Sequence, residues 1–220
     1  MTLITLQRPS GWAAILLALI YISAFVYYGA LWAFPSDGDA ATKMMYLTDH
    51  QLVTSIFMFT TYILFGVVLS ILVAGLNHVL KAKESALCSL ATAYGYIWVV
   101  LVIASGMVAL SGIDLTIDTA ASDPEKALEI WTVLMTIAQS IGGDNEIVGA
   151  VWVILVSFLA LREKIMSAKL HILGLFVGLV GILTVLPFSL FTELFGVFQI
   201  IWFLWLGVCL LKLSPEHFSN

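Results

Sequence analysis

Six stretches of about twenty apolar residues, each nearly free of charge, leave this chain almost no alternative to crossing a lipid bilayer. They run over residues 11–33, 52–76, 86–111, 144–161, 168–187 and 192–212. Hydrophobic residues make up 61% of the 220 positions and charged residues 10%, against about 25% charged in soluble domains. The expected fold is all-α, a single-domain polytopic membrane helix bundle with six transmembrane helices.

The fourth stretch is the anomalous one. Its uninterrupted apolar part, residues 147–161, covers only about 22 Å of a hydrocarbon layer roughly 30 Å thick. Just before it lies "SDPEKALEIWTVLMTIAQS", in which Ser122 and Glu125 have capping-box spacing and Pro124 suits a first helical turn. We therefore expect an embedded or interfacial outer helix over 123–141, a break at Gly142 and Gly143, and a short crossing helix after it. Cationic residues support the six-span count. Arg8, Lys81, Lys83, Arg162, Lys164, Lys169 and Lys212 fall on one side, Lys43 and Lys126 on the other. The positive-inside rule then puts both termini in the cytoplasm and the protein in the cell inner (cytoplasmic) membrane. A separate crossing by 125–141 would turn the basic loop "REKIMSAKL" outward.

Several function classes are disfavoured. A net charge of -5 with nine Lys and Arg supplies no surface for neutralising phosphates, so no nucleic-acid partner is expected. Cys88 and Cys209 form no CxxC motif and indicate neither a disulfide framework nor a zinc site. The first stretch is too long for a signal-peptide core and reads as a retained anchor. There is no GxSxG, HExxH or phosphate-binding loop, so no catalytic residue is assigned and no cofactor is implied.

The polar residues that interrupt apolar sequence are the candidates for function. Foremost is "SIGGDNEIVG", where Asp144, Asn145 and Glu146 stand beside a lipid-length run. Asp144 could cap the following helix while Glu146 offsets its dipole, or the group could line an outer-leaflet cavity and bind a ligand. Glu193 and Gln199 are further contributors to such a site. Asp49 with His50 forms a metal candidate at the same mouth, and His78 with His171 a haem candidate at the inner helix ends. Small residues four apart, Gly66, Ser70 and Ala74 in one helix and Gly174 and Gly178 in another, indicate close helix packing or a homodimer seam.

The segment "GGDNEIVGAVWVILVSFLALREKIMSAKLHILGLFVGLVGILTVLP", followed by "IIWFLWLGVCLLK", resembles a bacterial family of small integral membrane proteins, domain-of-unknown-function family 4386. The shared pattern is a glycine-rich turn with Asn-Glu, a Trp-containing helix, a basic loop and a final Trp-rich helix. The resemblance implies six helices in a bacterial cytoplasmic membrane and supplies no reaction. Together these readings lead to a non-enzymatic membrane protein that binds an apolar or amphiphilic ligand, or a partner membrane protein. A membrane enzyme or haem or metal redox carrier, and a small-solute transporter, are the alternatives.

Overall fold

A computed structural model describes residues 6–80, 86–142 and 146–213, and among these every regular element is helical. The apolar stretches become α1 (Gln7–Val26), α3 (Gln51–Met58) continued by α4 (Phe65–Leu80), α5 (Ala86–Ala120), α7 (Ile147–Arg162), α8 (Ala168–Leu183) and α9 (Ser189–Lys212). Two further helices, α2 (Ala40–Asp49) and α6 (Pro124–Gly142), lie between them. Among the described residues five helical stretches are long and apolar enough to cross a membrane, and α8 is a shorter apolar helix. The chain is a multi-pass membrane bundle.

Close backbone approach sets the packing order. α1 and α9 cross at facing glycines: a Cβ at Gly207 would lie 2.8 Å from the Gly11 carbonyl oxygen. On α8, a Cβ at Gly178 would lie 2.8 Å from the Ala150 carbonyl oxygen of α7. Gly66 meets the Ile103 side chain of α5 in the same way. Gly66 and Gly178 are therefore taken up by contacts within this bundle.

Aromatic side chains fill the centre. Tyr21, Phe65, Trp98, Trp152, Trp202 and Phe203 form a closed circuit of ring contacts, with successive centroids 5.4, 5.8, 5.6, 6.0, 5.5 and 6.3 Å apart. Five helices contribute to it: α1, α4, α5, α7 and α9. The Gln7 side-chain amide closes one end of the bundle, donating to the Leu210 carbonyl at 2.7 Å and also to that of Leu213. It thus satisfies carbonyls that the end of α9 leaves open.

α5 is longer than expected. The sequence pointed to an end at 111, whereas the helix continues to Ala120, for a length of about 52 Å. The extension persists because Ala109, Gly112, Ile113 and Thr116 keep a helical spacing and are buried, while Asp114 and Asp118 face outward. Against this long helix α6 and α7 pack one after the other, both antiparallel. Gly112 meets Leu134, Gly142 meets Leu101, Gly149 meets Trp98 and Gly95 meets Trp152. The residues expected as an outer helix over 123–141 form α6, which packs along α5 in sequence with the 16-residue α7. The hydroxyls of Thr132, Thr136 and Ser140 donate to carbonyls four residues back, so the polar side of α6 carries few unmet hydrogen bonds.

At the far end of α5 a second small core forms from Met44, Leu47 and Ala127, flanked by Trp32, Phe34 and Trp131. Helix α2 begins at Asp39, whose carboxylate accepts the Thr42 backbone N–H at 2.9 Å. Two π-helical turns, Tyr27–Leu31 and Phe59–Leu64, lie near this end. The Tyr27 ring stacks on Phe57 at 3.8 Å, and its hydroxyl pairs with Thr54 at 3.2 Å.

Candidate functional site

Glu146 immediately precedes α7 and is 7% exposed. Its side chain does not cap the helix. The Tyr21 hydroxyl donates to Oε1 over a long 3.5 Å, and the Glu146 backbone N–H donates to Thr184 Oγ1 at 3.1 Å. Thr184 in turn donates to the Gly181 carbonyl at 2.7 Å. Three helices thus converge on this carboxylate: the aromatic circuit reaches it through Tyr21, and the end of α8 fixes its backbone. A buried acid with such partners holds α1, α7 and α8 together, and as an ionisable group inside a bundle it also marks a site of interest. Asp144 and Asn145 lie outside the described residues.

The other candidates lie on α9 and at the end of α2. Glu193 is exposed near the start of α9. Gln199 is fully buried, midway between Phe195 and Trp202 on one face of α9, and neither atom of its amide has a hydrogen-bond partner among the described residues. Asp49 and His50 end α2. Next to them, the Gln51 amide donates to Asp114 on α5 at 3.0 Å. Since Glu146 is level with the α5 segment between Trp98 and Ser105, the two groups are on the order of 20 Å apart along that helix. Asp49 and His50 therefore do not share a mouth with Glu146.

The histidines are also engaged separately. His50 stacks on Tyr46 with centroids 4.1 Å apart, and its Nδ1 pairs with the Tyr46 carbonyl at 2.9 Å. No group of three His, Cys, Asp or Glu able to hold a metal exists among the described residues. His171 is 1% exposed, with Nε2 held at 2.6 Å by the Ile165 carbonyl, while His78 is exposed on α4. A haem between them would need His171 to ligate through its sealed Nδ1.

A cleft among the described residues was not legible in the apolar pattern. It measures about 340 Å³ and lies between α2 and the α5–α6 turn. Ala41, Met44, Met45, Ile117, Ala120, Ala121 and Pro124 form apolar walls, with Thr48 and Asp49 as polar members. The available signal was the Asp39-to-Thr42 cap followed by Met44 and Leu47, which together specify α2. No family model, curated protein or solved structure matches this chain.

Proposed function

We propose that this membrane protein binds a cationic amphiphile in the cleft between α2 and the α5–α6 turn, without catalysing a reaction. The cleft itself carries the reading: methionine and aliphatic walls suit an alkyl chain, and Asp49 supplies a counter-charge at its edge. The surrounding end is acidic, with Asp39, Asp49, Asp114, Asp118, Asp123, Glu125 and Glu129 against Lys43 and Lys126. This moves the ligand site from Glu146, where the sequence placed it, to Asp49. In this reading the acidic end faces outward and the basic loops face the cytoplasm of a bacterial cell, with membership of the six-helix family as the corresponding classification.

The experiment is titration of the purified protein in nanodiscs with a fluorescent alkyl-ammonium probe and its alkyl-sulfonate counterpart. Saturable binding of the cation is expected, weakened about fivefold by Asp49→Asn, since one partly screened charge contributes on the order of 1 kcal/mol. Equal affinity for both probes, or no effect of Asp49→Asn, would remove the proposal.

A further inference from the structure

Four side chains on three helices carry, along one buried seam, polar atoms that no described protein group satisfies. Ser157 on α7, His171 on α8, and Gln199 and Trp202 on α9 are at most 1% exposed. Ser157 Oγ, His171 Nδ1, Trp202 Nε1 and both amide atoms of Gln199 have no hydrogen-bond partner. They form one column. A Cβ at Gly174 would overlap Ser157 Oγ and lie 2.6 Å from Trp202 Nε1, so these two atoms converge on the bare backbone of α8. His171 lies one turn from Gly174 on the same buried face, and Gln199 one turn from Trp202. Five such atoms left dry would together cost an amount comparable to the whole stability of a domain.

The chemistry of the set selects the ligand. Trp202 Nε1 only donates, and the Gln199 amide both donates and accepts. Since His171 Nε2–H donates to Ile165, the neutral ring turns Nδ1 inward as an acceptor. A metal ion would require acceptors alone and an anion donors alone. A mixed, uncharged set matches water, which does both. Toward Glu146 the column is closed by an apolar layer, where a Cβ at Gly181 would lie 2.7 Å from both Ala150 Cβ and the Phe195 ring.

We propose that the α7–α8–α9 seam is a buried hydration site in which water is bound by Gln199, Ser157, Trp202 and His171. The seam is then a wet joint between helices, independent of the cleft at Asp49.

Hydroxyl-radical footprinting of the full chain in nanodiscs tests this, because bound water generates radicals beside residues that bulk solvent does not reach. Trp202 should be oxidised at least about threefold faster than Trp98, which is buried at 3% exposure in the aromatic circuit. Gln199→Leu should bring Trp202 down to the Trp98 rate and lower the melting temperature, because it strands the bound water. If that variant does not fold, Ser157→Ala gives the same labelling readout with almost no change of shape. Equal oxidation of Trp202 and Trp98 in the unmodified protein, or a Gln199→Leu variant that melts higher with Trp202 labelling unchanged, overturns the proposal.

Discussion

Backbone conformation at single residues decides how α7 ends. The Ile165 N–H reaches back to the Ala160 carbonyl at 2.9 Å and the Lys164 N–H to that of Leu161 at 3.2 Å, a closure that needs a left-handed residue. Lys164 supplies it with φ of 54°, where glycine would sit without a steric cost. Lys164→Gly should therefore stabilise the bundle by about 1 kcal/mol, seen as a rise of roughly 2–4 °C in the melting temperature. A lower melting temperature would show that the lysine side chain contributes more than its backbone costs. At Asp39, the Thr42 hydroxyl and backbone N–H hold the carboxyl below its ordinary value of 3.8. A carboxyl depressed by folding stabilises fully above the unfolded value and loses that contribution as pH falls through the folded one. Amide exchange at Thr42 should thus accelerate, relative to the rest of α2, as the pH is lowered below about 4. Asp39→Asn should keep the cap and abolish that acid dependence.

Elements differ in how openly the sequence announces them. The six apolar stretches are legible because lipid demands a long unbroken helix, and that demand writes itself into composition. The end of α5 was hidden because beyond Ser111 the helix is held by one face only: Gly112, Ile113 and Thr116 turn inward while Asp114 and Asp118 read as loop. Helix α2 was hidden for the same reason, since two inward side chains, Met44 and Leu47, carry its burial. The candidate site suffered from this in turn. Glu146 was found because a charge beside apolar sequence stands out, whereas the cleft exists only once α2 and the α5–α6 turn have both formed. The polar seam lay between these cases. Gln199 is conspicuous in a span, but Ser157 and Trp202 acquire a common meaning only when α8 presents Gly174 between them.

The whole molecule is polarised. One end carries Asp37, Asp39, Asp49, Asp114, Asp118 and Asp123, the other Arg8, Arg162, Lys164, Lys169 and Lys212. If the basic end is cytoplasmic, impermeant maleimide applied to intact cells should label Lys126→Cys and leave Lys164→Cys unlabelled until permeabilisation, in a background lacking Cys88 and Cys209. Labelling of both from outside, or the reverse order, would refute that orientation. The aromatic circuit has a further consequence at this scale. Trp98, Trp152 and Trp202 stand 5.6 and 6.0 Å apart on three different helices, close enough for excitation of one indole to pass to the next. Their near-ultraviolet dichroism and emission are therefore properties of the assembled bundle, so the protein carries a built-in optical gauge of whether α5, α7 and α9 remain seated together.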